Sequence, residues 1–400
     1  MDRLAEIESP GMMGQGFHPR MIGSAAPVFP GFQIDILERV PDDEREDAVW
    51  HRQRARAMLR AHPEIKELFG TDASTAFLCL GACVLQISLA ALSSYVPWWA
   101  MLLTAYFIGS SMNLLLFQLG HECVHGLVFE RRWLNRVLFT LTTLPMFLSG
   151  HHTWWPEHLA HHTDMGSLKD FISRRRTYLV ITRSASPLFV PYALIMLIMQ
   201  LCRSSVGLVM YLGGLLLFGR LKPGRRTMAV LADQHLVSGY EKDDCAGWAV
   251  LYPLVNLSFC AGLYVAFGWQ ALVYLLASAL FFTGFLHPYC LGWVLGISHF
   301  HGTRRYQPTA SSYGRWRNLI TFNAGLHVEH HDLMNVPGRR LWRLREIAPE
   351  FYDNLEVIPS YTRLGLQFVF AKPKEFQANF NHQTGYNATH LRTDKEGRRL

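Results

Sequence analysis

Histidines occur in three tight clusters along this chain, at spacings that suit metal ligands. Residues three or four apart in a helix lie on the same side of it, so each cluster presents its imidazole nitrogens in one direction. The first cluster has the pattern HxxxH, and the second and third have the pattern HxxHH. Their members are His121 and His125, then His158, His161 and His162, then His327, His330 and His331.

Eight convergent imidazoles are more than one metal ion needs. A structural zinc site closes with four ligands, and a catalytic zinc site uses three together with water. The clusters therefore predict a site for two metal ions. Because every ligand is a nitrogen and none is a thiolate, the set favours iron over a closed zinc site.

The first cluster also fits a different kind of metalloenzyme. Its sequence, HECVH, matches the HExxH signature of zinc peptidases, in which Glu122 would act as the general base. Such a site needs only one further ligand, so this alternative leaves most of the other clustered histidines without a role. The same surplus argues against a transporter or a metal store, whose histidines more often lie within the membrane spans.

The composition indicates a membrane protein. Of the 400 residues, 50% are hydrophobic and only 17% are charged, and the apolar runs are too long for a soluble core. The seven cysteines contain no CxxC pair and are typical of small buried hydrophobic residues. The net charge of +7 arises in loops beside the apolar runs, where positive-inside sorting explains it, so we expect no nucleic-acid partner.

Four apolar runs must position the clusters, and they pair into two hairpins at about 75–92 with 98–119 and 248–267 with 269–298. The connections within the hairpins are uncharged, whereas Lys and Arg collect at the opposite ends, which assigns those ends to the cytoplasm. All three clusters then lie on the cytoplasmic side. We therefore expect an all-α integral membrane protein with about four spans and a cytoplasmic helical cap that carries the two-metal site.

The remaining segments divide by composition. We expect residues 1–70 to form a polar cytoplasmic region, residues 71–372 to form the membrane domain, and residues 373–400 to form a polar tail. The segment 187–219 is apolar but is interrupted by Arg203, and each half is short for a crossing of roughly 20 residues. An odd number of crossings there would separate the third cluster from the others, so we interpret this segment as interfacial or re-entrant.

The order of the clusters between two hydrophobic hairpins resembles the membrane fatty-acid desaturase and hydroxylase superfamily. The segments HPEIKELFG before the first span, and NLITFNAGLHVEHHDLMNVPGRRL and EIAPEFYDNL after the second hairpin, are similar to its sphingolipid 4-desaturase branch. The resemblance implies a four-span helical protein with a cytoplasmic di-iron centre. Such proteins use dioxygen and two electrons to dehydrogenate or hydroxylate an alkyl chain.

The resemblance also implies roles for individual residues. The eight clustered histidines fall on the family's ligand positions, and a ninth ligand is usual near the cytoplasmic end of the fourth span. We favour His299 for it, because GISHF has a histidine followed by an aromatic residue; the other candidates are His287 and His301. Three polar residues could orient the ligand imidazoles by bonding to the ring nitrogen that does not face the metal. The alternative is a helix cap for the asparagine and solvated carboxylates for the two acidic residues. The three residues are Asn323, Glu329 and Asp332.

Several departures from the sphingolipid desaturases leave the substrate open. Glu122 stands where aspartate is typical, and the acidic stretch after the second cluster is replaced by TDMGSLKDFISRRR; the third cluster differs at Val328, Leu333 and Met334. We expect desaturation of a lipid alkyl chain, fatty acyl or sphingoid. The alternatives are a small amino-acid-derived metabolite of the dihydrorhizobitoxine kind, or hydroxylation, since the outcome depends on how the carbon is held relative to the metals.

The cofactors and partners follow from the same resemblance. We expect two non-haem iron ions, with dioxygen as the co-substrate. No HPGG haem motif and no cysteine-rich iron–sulfur pattern occurs in the sequence. Electrons must therefore come from a separate carrier, a ferredoxin or a cytochrome-b-type protein with its reductase. The predicted protein is multi-pass, with its active site on the cytoplasmic side.

Overall fold

The computed structural model describes a helical protein. Among the described residues there is no strand, and Ser311 and Val357 form an isolated bridge. The helical fold expected from the sequence is thus confirmed. The described residues are 46–147, 155, 158, 159, 161, 162, 165, 245–284, 286–297 and 307–370.

The described residues 46–147 contain four α-helices. Helix α1 is Glu46–Ala61, and a short 3-10 helix, Pro63–Leu68, follows it. Helix α2 is Thr75–Ser93, and helix α3 runs through Trp98–Val124 with a single π turn at Ala105–Gly109. Helix α4 is Arg132–Thr143, and the 3-10 turn Leu144–Met146 follows it.

The second part contains seven helices in the described ranges. Helix α5 is Cys245–Phe267, α6 is Trp269–Phe282 and α7 is Pro288–Ile297. Four shorter helices follow: α8 is Arg315–Ile320, α9 is His327–Asp332, α10 is Leu341–Ile347 and α11 is Tyr361–Phe370. Two more 3-10 turns are Gly338–Arg340 and Pro349–Phe351.

Helices α2 and α3 have the length and composition of membrane spans. Their mean hydropathies are 2.1 and 1.6. At about 1.5 Å per residue, the 19 residues of α2 cover nearly the whole hydrocarbon core. The turn between the two helices exposes Tyr95, Trp98 and Trp99, as residues at a membrane interface do. Inside the pair, the buried Gln86 donates to Asn113 Oδ1 at 3.1 Å, which holds the two helices together.

The stretch 269–298, which the sequence predicts as one span, is divided between two helices. Helix α6 ends at Phe282, and α7 begins only at Pro288. Proline has no N–H to donate, so it suits the first turn of a new helix rather than the middle of a long one. Both helices are apolar but shorter than α2.

The C-terminal helix α11 packs closely on α7. A Cβ atom on Gly292 would lie 1.7 Å from the carbonyl oxygen of Tyr361, and one on Gly365 would lie 2.1 Å from that of Pro288. Only glycine allows this approach of the two backbones. The contact fixes the end of the described part of the chain against α7.

Two hydrophobic cores adjoin the histidine clusters. One joins α3, α4, α7 and α11 and includes Leu119, just before the first cluster, and Val124, within it. The other joins α1, the turn Pro63–Leu68, α9 and α10, and it includes Val328 within the third cluster. A third core lies at the far ends of α2, α3 and α6 and includes Tyr274. The first two cores hold the elements that carry histidines.

Candidate metal centre

The first cluster lies at the C-terminal end of α3. His121 and His125 are one helical turn apart, and their ring centroids are 4.6 Å apart. Gly126, at φ +69°, ends the helix directly after them, and the Leu127 N–H donates to the Glu122 carbonyl at 2.9 Å. This is the usual glycine-terminated helix end, and it fixes where the two imidazoles leave the helix.

The second cluster approaches the first through its imidazole nitrogens. The Nε2 atoms of His158 and His125 are 2.9 Å apart, and those of His158 and His162 are 3.1 Å apart. His161 is fully buried, and its ring centroid lies 5.7 Å from that of His162.

The third cluster completes the group. His330 Nε2 lies 3.2 Å from His162 Nε2, and the His330 ring centroid is 4.4 Å from that of His121. One nitrogen from each of five histidines falls within 4.8 Å of all the others. These five come from all three clusters, and they are His121, His125, His158, His162 and His330.

The spacing of these nitrogens fits a metal site. Ligand nitrogens about 2.0–2.1 Å from one ion lie roughly 2.8–3.4 Å from their neighbours, for angles between a right angle and a tetrahedral one. The observed separations between Nε2 atoms are 2.9, 3.1 and 3.2 Å. The described residues can therefore hold a metal ion without large rearrangement.

The other three clustered histidines lie beside this group. The ring centroid of His331 is 4.3 Å from that of His162, 4.5 Å from that of His327 and 5.0 Å from that of His161. All eight histidines chosen from sequence therefore meet in one continuous assembly. His161, His327 and His331 are the members outside the five-nitrogen group.

Burial keeps these imidazoles neutral. The pKa values of His158, His162, His330 and His331 lie well below the ordinary value of 6.5, first because burial disfavours the charged form and then because the neighbouring imidazoles repel it. A neutral imidazole keeps a lone pair for a metal ion. These four imidazoles therefore need not lose protons to bind a metal ion at neutral pH.

The carboxylate of the HExxH motif has a structural partner. Glu122 Oε2 accepts a hydrogen bond from the Gly338 N–H at 2.8 Å, and Oε1 lies 3.9 Å from His121 Nδ1. Glu122 is 2% exposed. The bond ties the first cluster to the turn that follows the third.

The three polar residues suggested as ligand partners have defined contacts. Asn323 donates to the Gly338 carbonyl at 2.7 Å and accepts from the Trp342 indole at 2.9 Å. The Glu329 carboxylate accepts from Ser311 Oγ at 2.6 Å and from the Tyr313 hydroxyl at 2.8 Å. These contacts anchor the chain on both sides of the third cluster.

Asp332 bonds to residues of α1. Its Oδ1 lies 2.6 Å from His51 Nδ1, and Arg54 donates to both of its oxygens at 3.1–3.3 Å. The sequence patterns did not single out His51 or Arg54 as functional residues. A signal was present, because the two lie three residues apart and share one side of a helix.

Two of the three candidates for a ninth ligand, His299 and His301, lie outside the described residues. His287 is described, and its ring centroid lies 4.4 Å from that of Tyr106. Tyr106 precedes His121 by 15 positions on α3. At 1.5 Å per residue this corresponds to about 22 Å along the helix axis, so His287 is remote from the first cluster. The segment 187–219 and residues 1–45 and 371–400 also lie outside the described residues.

The sequence of the chain is similar to those of known protein families. A sequence model described as fatty acid desaturase matches residues 97–361, which include all three clusters. The chain belongs to the fatty acid desaturase family. A narrower model, described as sphingolipid Delta4-desaturase (DES), matches residues 45–74, which contain α1.

Individual relatives support the same family. The chain is 31% identical to the sphingolipid delta(4)-desaturase DES1-like protein of Oryza sativa subsp. japonica, over 80% of this chain and 86% of that protein. It is 31% identical to the sphingolipid delta(4)-desaturase of Schizosaccharomyces pombe, over 80% and 82%. It is 29% identical to the sphingolipid delta(4)-desaturase/C4-monooxygenase DES2 of Rattus norvegicus, over 82% and 92%.

The family confirms several predictions from sequence. The resemblance carried by the histidine pattern and by HPEIKELFG is correct, and the protein is an oxidoreductase of the lipid desaturase type. The helical fold, the apolar helices and the histidine cluster agree with a membrane-bound metalloenzyme.

Proposed function

We propose that this protein is an oxygen-dependent di-iron desaturase that introduces a carbon–carbon double bond into the alkyl chain of a sphingoid-type lipid. The observation that carries the proposal is the convergence of five imidazole nitrogens within 4.8 Å from three separate chain segments. The relatives' names specify sphingolipid delta(4)-desaturation, which supports a lipid over a small amino-acid-derived substrate.

The histidines would hold two iron ions. The five-nitrogen group surrounds one position, and His161, His327 and His331 lie next to it on the His162 side, where they can serve a second ion. The all-nitrogen donor set suits iron. When bound, the iron pair supplies the redox chemistry that activates dioxygen.

The net reaction defines what the protein must supply. The lipid loses two hydrogen atoms and dioxygen takes four electrons, two from the lipid and two from a separate carrier. With two further protons from solvent, the products are the alkene and two molecules of water. His121, His158, His161 and His331 are at most 7% exposed, and this burial would limit the access of bulk water to the metal centre.

The chain's arrangement supports a four-span topology with the centre on the cytoplasmic side. The first cluster lies at one end of α3, and the aromatic turn at Tyr95 and Trp98 lies at the other. Arg131 and Arg132 follow the cluster directly. By the positive-inside rule, this end faces the cytoplasm. Helices α5, α6 and α7 would then form the second hairpin, with α8–α10 in the cap.

The domain boundaries need one extension. We retain 71–372 as the desaturase domain and 373–400 as a tail, but α1 packs in the same core as α9 and α10. We therefore propose to extend this domain at its N-terminal end, so that it includes α1 from Glu46.

The experiment that tests the proposed function uses dihydroceramide as the substrate. A host without its own sphingolipid desaturase would express the protein with a matching reductase, and lipids would be identified by mass spectrometry. We expect 4-ene ceramide with the wild type and none with His330→Ala, which inserts equally well. No ceramide product, together with conversion of an amino-acid-derived substrate, would contradict the proposal.

Hydroxylation is a second candidate outcome, because the Rattus norvegicus relative is named as both a desaturase and a C4-monooxygenase. The same assay separates the two reactions. A 4-hydroxy product that exceeds the alkene would assign the protein to the monooxygenase outcome. The proposal requires the alkene to dominate.

A further inference from the structure

Helix α1 lies against the short helix α9 that carries the third cluster. His51 and Arg54 are on the buried side of α1, at 3% and 8% exposure, and Asp332 is the last residue of α9. The ring centroid of His51 is 5.2 Å from that of His331. A residue from the first part of the chain thus lies beside a proposed ligand more than 270 positions later.

Three groups hold the Asp332 carboxylate. His51 Nδ1 is 2.6 Å from Oδ1, and Arg54 approaches Oδ2 through both Nε and Nη2 at 3.1 Å. A carboxylate only accepts, so Nδ1 of His51 carries the proton. Its other nitrogen, Nε2, lies 3.0 Å from Thr309 Oγ1, which can donate to it. Both ring nitrogens are thus engaged, and His51 is not itself a metal ligand.

Arg54 is fixed in turn by its surroundings. Its Nη2 also donates to the Phe351 carbonyl at 2.6 Å, and its guanidinium stacks over the Trp50 ring at 4.4 Å. The positive charge of Arg54 compensates the negative charge of Asp332, so the buried pair is neutral overall. His51, Arg54 and Asp332 thus form one buried hydrogen-bonded group.

Helix α9 needs such external support. It has only six residues, and isolated helices shorter than about 12 residues are marginal in water. Its two carboxylates point to fixed partners on either side, Glu329 to Ser311 and Tyr313, and Asp332 to α1. The positions of His330 and His331 therefore depend on these contacts rather than on the helix alone.

We propose that His51 and Arg54 are positioning residues that hold the third cluster in its metal-binding arrangement through Asp332. The inference rests on the proposed function and goes beyond it, because it assigns a role to a helix that carries none of the clustered histidines. The narrower family model matches residues 45–74, and this segment includes His51 and Arg54. Loss of partners behind metal ligands typically lowers metal affinity or activity about 10- to 100-fold.

The test compares three variants of the full-length protein. His51→Ala removes both bonds, whereas His51→Asn keeps a donor where Nδ1 lies. His62→Ala is the matched control, because His62 follows the same helix and bonds to another cap carboxylate, Glu350, at 2.5 Å. Each protein is assayed for iron content, for kcat and KM, and for amide hydrogen exchange of the peptide 326–333 without metal.

We expect His51→Ala to lose iron and to lower kcat about 10- to 100-fold, with KM unchanged within about twofold. Exchange of the peptide 326–333 should accelerate in this variant. His51→Asn should recover most of the kcat, and His62→Ala should resemble the wild type in all three assays. A substrate-binding role would instead raise KM.

Two results would overturn the inference. One is wild-type iron content and kcat in His51→Ala, and the other is equal losses in His62→Ala, which would mean general loosening of the cap. A wild type that holds no iron and makes no alkene would instead overturn the proposed function itself. The wild-type measurements therefore separate the failure of one proposal from the failure of the other.

Discussion

Glu122 and Gly338 join the first histidine cluster to the chain beyond the third. They are 216 positions apart, and Glu122 Oε2 accepts the Gly338 N–H at 2.8 Å. A Cβ on Gly338 would lie 3.2 Å from Glu122 Oε1 and 3.0 Å from the Phe322 ring, so the turn fits tightly. In a zinc peptidase the same glutamate must serve the metal-bound water. Here the contact indicates a structural role.

This structural role predicts different results for two substitutions of Glu122. Glu122→Gln keeps an amide oxygen that accepts the Gly338 N–H, so the iron content and the alkene yield should stay within about twofold of the wild type. Glu122→Ala leaves a buried N–H without a partner, which costs about 1–3 kcal/mol and should lower the unfolding temperature. Loss of all activity in Glu122→Gln with normal stability would instead favour a general base.

The ninth ligand can be identified by comparing two histidines near the end of the second hairpin. We predict that His299→Ala loses iron and alkene formation, whereas His287→Ala retains both, because the His287 ring lies against Tyr106, far along α3 from His121. Iron per chain and product yield are measured for both variants. Normal iron in His299→Ala together with loss in His287→Ala would reverse the assignment.

The histidine clusters could be predicted from the sequence because their members lie close together along the chain. The histidines within each cluster are three or four residues apart, and helical periodicity alone places them on one side. The bond between His51 and Asp332 joins positions 281 residues apart, and spacing cannot reveal such a pair. His51 therefore looked like an isolated histidine.

Hydropathy also did not reveal the helix break after α6. Hydropathy averages over a window, and the residues 269–298 are mostly apolar and contain no Asp, Glu, Lys or Arg, so they resemble one long span. The helix break depends on Pro288 and on the backbone at Leu286, which has φ +55°. Such local conformations do not change the mean hydropathy. For the same reason, the left-handed conformations of Phe322 and Asn323 before the third cluster gave no signal.

The proposed topology predicts which engineered cysteines a membrane-impermeant reagent can reach. Tyr95 is 77% exposed in the turn between α2 and α3, and Arg131 follows the first cluster. In sealed inside-out vesicles, Arg131→Cys should be labelled and Tyr95→Cys should not, and intact cells should give the reverse. The unsubstituted protein provides the background from its native cysteines. Labelling of both positions from one side would contradict a span through α3.

The contact between His62 and Glu350 predicts a pH-dependent part of the stability. The hydrogen bond to Glu350 raises the pKa of His62 above its ordinary value of 6.5. A raised folded pKa means that the stabilisation is complete below the ordinary pKa and is lost as the pH rises through the folded one. The wild type should therefore exceed His62→Gln in unfolding temperature at about pH 6 but not at about pH 9.

The size of this effect should be modest, because His62 is at the protein surface and its side chain is 23% exposed. Differential scanning fluorimetry of both proteins in matched buffers gives the comparison. An equal difference at both pH values would mean that the charge of His62 does not contribute.

The metal content of the purified protein tests the central claim most directly. We predict iron near two atoms per chain by mass spectrometry of the metals, because eight clustered histidines exceed the needs of one ion. His158→Ala and His330→Ala should each lose iron although the protein still inserts in membranes, whereas His151→Ala, outside the spacing pattern, should retain it. Zinc near one atom per chain, or full iron content in His330→Ala, would contradict the account.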